Sequence, residues 1–214
     1  MTSQQDVRTV LSTILDPEMP VNLVDLGIIH AVDVQPRSTD TPPAAPSRGL
    51  RGLGTRSALP GDVHTWPAAD NAPADNAPAK PLRVHVEVTP TFVGCPALDM
   101  IRGLIEDRVG DLPDVGEVDV EFVFEPPWST DNISDAGREA LRRHGVTVPP
   151  RGAAGALTRT ALTPLTVSGV APAAMCPYCG SDRTRRESPF GPTRCRMIYY
   201  CDSCRNQFEH LKPI

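Results

Sequence analysis

The chain has 214 residues and a formal charge of −5, from 26 acidic side chains against 21 Lys and Arg, which leaves room for one ordinary domain or two small ones. That balance argues against a protein whose main task is to coat nucleic acid, which needs a basic surface. No stretch approaches about 18 consecutive apolar residues, and MTSQQDVRTV lacks the basic and apolar blocks of a secretory signal, so a cytoplasmic protein without a membrane span is expected, its six cysteines serving as metal ligands or thiols rather than disulfides.

Val7, Val10, Leu11 and Ile14 fall at i, i+3, i+4 and i+7 and predict a helix that must stop at Asp16-Pro17. Residues 27–34 read as a strand. Between Pro36 and Pro81 stand nine Pro and four Gly in 46 residues, with the near-repeat ADNAPADNAPA at 69–79. Such a segment buries too little apolar surface to offset its ordering entropy and is expected to be disordered. The competing reading is a segment that folds on binding, anchored by Trp66. Leu82, Val84, Val86 and Val88 then alternate with Arg83, His85 and Glu87, a strand with one wet face. Cys95-Pro96 opens a helix that turns Leu98, Ile101 and Ile105 inward. Val118, Val120, Phe122 and Phe124 give a third strand. A short helix over 134–144 has Ser134 as its N-cap and Gly145 just beyond its end. The fold class is α+β: a small α-β-β-α-β domain, with the insert hanging from the hairpin between the first two strands, followed by a linker and a different C-terminal module.

That module carries Cys176-Pro-Tyr-Cys179 and Cys201-Asp-Ser-Cys204, two CxxC knuckles with 21 residues between them. Two such turns supply facing pairs of thiolates for a tetrahedral Zn²⁺, and a segment this short has almost no core without the metal. A zinc ribbon is expected. Zinc loss should unfold the ribbon and spare the α+β domain. Residues 176–214 hold seven basic and four acidic side chains, too weak an excess to be built around nucleic acid. Cys195 stands six residues before the second knuckle and is read as a packed thiol rather than a ligand.

Gly94-Cys95-Pro96 ends a strand and begins a helix, where the positive helix end favours thiolate. Two readings stay open for Cys95: a metal- or cluster-contacting thiolate, or a small buried residue at a tight turn. One cysteine cannot hold a metal alone, so chemistry there needs a partner group or a second chain. On local evidence Asp16, Glu18 and Asp25 are turn and capping acids.

The runs ILDPEMPVNLVDLGII (14–29) and TPTFVGCPALDMI (89–101) resemble the iron–sulfur assembly domain of the SufT-like family. The continuation FEPPWSTDNISDAGREALRRHGVTVPP (124–150) and the ribbon CPYCGS…TRCRMIYYCDSCRNQFEHLKPI resemble a narrower family, the PaaD proteins encoded with the phenylacetyl-CoA epoxidase of phenylacetate degradation. The resemblance implies a SufT-like domain over 1–150 interrupted by the insert at 36–80, a linker over 151–174 and a zinc ribbon over 175–214. It also implies an accessory role in maturing the epoxidase components, with the reductase subunit and its [2Fe–2S] centre as the first client and the di-iron oxygenase subunit as the second. Asp16, Glu18, Asp25, Thr91 and Cys95 match the motif positions, with Cys95 the thiol that would contact iron or a cluster in transit. Cys176, Cys179, Cys201 and Cys204 match the ribbon's metal ligands. Two departures stand out. Asn132 replaces an aromatic residue, and Lys212-Pro213-Ile214 replaces a Cys-containing tail, which removes the tail from metal binding. A structural epoxidase subunit without metal traffic and a zinc-ribbon nucleic-acid binder are the alternatives. A homodimer is compatible with either role. No nucleophile–base pair or phosphate loop points to an independent enzyme.

Overall fold

The computed structural model describes residues 1–37, 80–153 and 174–213. The expectations for the insert, Trp66 included, and for most of the 151–174 linker lie outside the described residues.

Helix α1 (Gln4–Leu11) begins at a reciprocal cap. Ser3 Oγ accepts the Asp6 N–H at 3.2 Å, and Asp6 Oδ2 accepts the Ser3 N–H at 2.8 Å. The helix ends short of Ile14, where the Ser12 and Thr13 hydroxyls donate back to the carbonyls of Thr9 and Val10, each at 2.7 Å. Ile14 is buried nonetheless, with Val7 and Leu11. Strand β1 (Ile29–Pro36) runs antiparallel to β2 (Leu82–Val88), and β2 runs parallel to β3 (Val115–Phe122). The parallel pair needs a crossover, and α2 (Leu98–Gly110) provides it. The alternation of β2 is observed: Leu82, Val84, Val86 and Val88 are buried, while Arg83, His85 and Glu87 face the wetter side. Ile101, Ile105 and Val109 of α2 close on the same core.

Other boundaries also differ from expectation, β1 spanning Ile29–Pro36 rather than 27–34. Phe124 lies beyond β3 and is half exposed. Helix α2 starts at Leu98, because Cys95 closes a turn onto the Phe92 carbonyl at 3.1 Å, so Pro96 precedes the helix instead of opening it.

Helix α3 (Asp135–Arg143) has Ser134 as N-cap, its Oγ accepting the Gly137 N–H at 2.9 Å. The segment leading into it wraps the entry to β1. Trp128 is buried and donates Nε1–H to the Leu26 carbonyl at 3.1 Å. Gly27 adopts φ +72°, and a Cβ there would collide with the Asn132 backbone, so only glycine permits this crossing. Strand β4 (Val146–Thr147) then leaves the first layer and pairs in parallel with β7 (Gln207–Leu211). β7 pairs with β6 (Arg196–Cys201), and β6 with β5 (Thr184–Ser188), giving the order β4-β7-β6-β5. The α+β class is observed, with one addition: residues 146–147 complete the ribbon's sheet. Cys195 and Leu211 belong to the main apolar core with Val7 and Val86. Among the described residues, no helix is long and apolar enough to cross a membrane.

Candidate metal centre and thiol pocket

The two knuckles fold alike. Gly180 N–H returns to the Cys176 carbonyl and Arg205 N–H to the Cys201 carbonyl, each at 2.9 Å. Gly180 (φ +71°) and Arg205 (φ +60°) take the same left-handed conformation after the second cysteine of each turn. Cys176 and Cys204 sulfurs lie 3.6 Å apart, as do those of Cys179 and Cys201. All four sulfurs fall within 4.8 Å of one another. A tetrahedron of Zn–S bonds near 2.3 Å requires sulfurs about 3.8 Å apart, so the donor set fits a four-thiolate metal site. The backbone N–H of Cys204 holds the Cys201 thiol below its ordinary range against the pull of burial, with the Ser203 N–H adding to it. Such donors favour the thiolate that a metal needs. Behind the site, Tyr199, fully buried, packs tilted against Phe208 at 5.7 Å between centroids.

Four of the five residues that match the assembly motif meet at a second place. Asp16, Glu18, Thr91 and Cys95 line one pocket, walled by Met19, Ile28, Val88, Pro90, Leu98 and Ile101. Asp16 builds one side of it through its own turn: Oδ1 accepts the N–H groups of Glu18 and Met19, both at 2.8 Å. Burial pushes the Asp16 carboxyl above the usual carboxylate range, the two N–H groups opposing it. Cys95 is half-buried. Burial likewise pushes its thiol up, opposed by the Ala97 N–H and reinforced by the Glu18 and Asp16 carboxylates. The expected stabilisation of thiolate by the helix end is therefore corrected. Helix α2 begins three residues later, and desolvation beside two acids outweighs a single N–H.

Asp25 is not in that pocket. Its carboxylate accepts from Ser134 Oγ at 2.5 Å and from Asn22 Nδ2 at 2.7 Å, which ties the turn before β1 to the start of α3. The ribbon reaches the pocket instead. Arg196, 7% exposed, donates Nη2–H to the Glu18 carbonyl at 3.0 Å and pairs through Nη1 with Glu209. The Arg194 guanidinium stands 5.9 Å from the Phe92 ring centroid. Nothing in the sequence pattern marked Arg196 for this role. The odd cysteine beside it, Cys195, expected as a packed thiol and 5% exposed, was the available signal.

Residues 4–40 and 79–120 match the family described as "Iron-sulfur cluster assembly protein", and residues 162–212 match the "PaaD zinc beta ribbon domain". The chain is 35% identical over 129 residues to a putative 1,2-phenylacetyl-CoA epoxidase subunit of Escherichia coli, covering 59% of this chain and 68% of that one. It is 23% identical to the Fe-S protein maturation auxiliary factor YitW of Bacillus subtilis, over 64% of this chain and 92% of that one. A crystal structure of a domain of unknown function, DUF59, from Bacillus anthracis aligns at 21% identity and a TM-score of 0.41 over 64% of this chain and 90% of that one.

Proposed function

The chain belongs to the PaaD family, and on that premise we propose that it is an accessory factor, not a catalyst, that helps insert or maintain the iron–sulfur centre of a phenylacetyl-CoA epoxidase system. The observation that carries the reading is the meeting of Cys95, Thr91, Asp16 and Glu18, drawn from two separate stretches of sequence, in one pocket. An open pocket edged by a thiol and two carboxylates suits transient contact with iron as cargo, whereas a closed four-thiolate site suits retention of a structural ion.

The division of labour follows from the two sites. Cys176, Cys179, Cys201 and Cys204 would hold Zn²⁺, which cross-links the knuckles and supplies no reactive chemistry there. Cys95 waits as a protonated thiol and loses its proton to water when iron binds. Asp16 and Glu18 offset the metal's charge. The reductase subunit with its [2Fe–2S] centre is the first client proposed, and the di-iron oxygenase subunit the second. The work is placed in the cytoplasm, where thiols stay reduced. The deciding experiment deletes this gene alone and measures iron and acid-labile sulfide in the purified reductase and oxygenase subunits. Loss of iron and sulfide from the reductase is expected. Full occupancy of both subunits overturns the reading, and stoichiometric retention of the protein in active epoxidase would then point to a structural subunit.

A further inference from the structure

We propose that the ribbon loop 189–195 and the turn over 91–95 together form a docking surface for an acidic segment of a client protein. Such a segment offers carboxylates to Arg194 and Lys212 and an apolar side chain to Phe92, Val93 and Phe190. The inference rests on the assembly reading above and adds the place where the client lands, at the edge of the Cys95 pocket.

The turn has two faces. Thr91 and Cys95 line the pocket, whereas Phe92 and Val93 between them are exposed, Val93 by 75%. The Cys95 N–H closes the turn onto the Phe92 carbonyl at 3.1 Å, so a partner that covers Phe92 sits beside the pocket's thiol. The ribbon supplies the other half of the surface. The Arg194 guanidinium stands 5.9 Å from the Phe92 ring centroid, and Lys212 Nζ stands 5.7 Å from that of Phe190. Lys212 Nζ also donates to the Arg194 carbonyl at 2.6 Å, which joins the two ring–cation pairs into one patch. Phe190 is 77% exposed, yet its backbone is held. Ser188 Oγ accepts its N–H at 3.0 Å and donates to its carbonyl at 2.9 Å, and the Gly191 N–H returns to the Arg196 carbonyl at 3.0 Å. A loop already fixed in this way loses little freedom when a partner covers the ring.

The charges define what that partner carries. Among the described residues, neither Arg194 nor Lys212 pairs with a carboxylate, while Arg185 and Arg196 of the same module pair with Asp202 and Glu209. Two uncompensated cations beside three exposed apolar side chains fit carboxylates that flank an apolar anchor. Aromatic and Arg side chains are also the groups that most often dominate protein contacts. Two cations on a chain of charge −5 are too few to track a phosphate backbone, which favours an acidic protein segment over nucleic acid.

The test uses full-length, zinc-loaded protein, with the purified reductase and oxygenase subunits as probes. The chain has two lysines, Lys80 and Lys212, so zero-length carbodiimide coupling reads the contact directly. Lys212 should couple to an Asp or Glu of at least one subunit. Lys80 should not: it precedes β2, whereas the turn over 91–95 follows that strand, and its Nζ is bonded to the Gly110 and Leu112 carbonyls. Phe190→Ser and Arg194→Gln alter exposed side chains, and each should weaken binding about tenfold with zinc content unchanged. Added salt should weaken wild-type binding by screening Arg194 and Lys212. Coupling through Lys80 alone, unchanged affinity in both variants, or no binding of wild type to either subunit overturns the proposal. Salt-sensitive binding of a single-stranded oligonucleotide that is lost in Arg194→Gln would overturn it in favour of nucleic acid. Failure of the assembly reading shows separately: a reductase that keeps its iron in the deletion strain sinks that reading and leaves the docking result standing.

Discussion

Arg196 Nη2 donates to the Glu18 carbonyl at 3.0 Å, and its Nη1 pairs with Glu209. One guanidinium thus fastens β7 and the turn that shapes the thiol pocket to the same point. Arg196→Met should keep the aliphatic packing but leave the Glu18 carbonyl and the Glu209 carboxylate without this partner. The expected loss is about 2 kcal/mol, within the range for hydrogen bonds to charged groups. Urea unfolding should show a lower midpoint with zinc content retained. An unchanged midpoint would mean that the contact contributes nothing to the junction.

That junction marks where sequence reasoning stopped. The alternation of Val84, Val86 and Val88, the Ser134 cap and the two CxxC turns are local patterns whose physics acts within a few residues, and each appears in the structure where it was expected. The pocket needed the family resemblance, since Asp16 and Glu18 locally look like turn acids, and only folding brings them to Cys95. The pairing of Val146–Thr147 with β7 and the burial of Cys195 in the main core rest on contacts between distant segments, which no periodicity encodes. The ordinary-looking Asp25 shows the opposite limit. It matches a motif position, yet its carboxylate is occupied by Ser134 and Asn22.

Metal removal should be felt beyond the ribbon. Cys195 and Leu211 lie in the main core, and β4 belongs to the ribbon's sheet. Unfolding of residues 176–211 would therefore strip packing from the α+β layer, so the two parts are expected to unfold together rather than as independent modules. Chelation of zinc, or Cys179→Ser, should lower the melting temperature of both parts together, seen as loss of hydrogen-exchange protection in α1 and β2 as well as in β6. Protection of α1 and β2 left at the native level would restore the modular picture.

The ribbon should also respond to acid through His210. This imidazole is 7% exposed, its Nδ1 lies 2.8 Å from Thr147 Oγ1, and burial pushes its pKa down to about 4. A folded value below the unfolded one, near 6.5, means that protons favour the unfolded chain. The associated stability is complete above about pH 6.5 and is lost as pH falls towards 4, by at most about 3 kcal/mol. His210→Gln should remove this dependence, so the stability gap between wild type and variant should narrow or reverse between pH 7 and pH 5. Parallel stability curves would show that burial does not lower the His210 pKa in the folded protein. Because both proteins carry the same four cysteines, acid release of zinc affects the two alike.

Cys95 gives the last prediction, and it separates chemistry from packing. Burial beside Asp16 and Glu18 raises its thiol above the ordinary range. In the iron-free protein it should therefore react slowly with iodoacetamide at neutral pH, with a rate that keeps climbing above pH 9. A reactive, low-pKa thiol would instead saturate near neutrality. Serine at this position is nearly isosteric and leaves the turn onto Phe92 intact, since that bond uses the backbone N–H of residue 95. What it removes is a soft donor. Cys95→Ser should accordingly change the unfolding midpoint by less than about 1 kcal/mol and leave zinc bound, yet abolish growth on phenylacetate and empty the [2Fe–2S] site of the reductase purified from the mutant strain. A strain that grows normally with a fully occupied reductase would reduce Cys95 to a packing residue at a tight turn. The pocket's role would then fall to Asp16 and Glu18, whose substitution by Asn and Gln in the same strain provides the comparison.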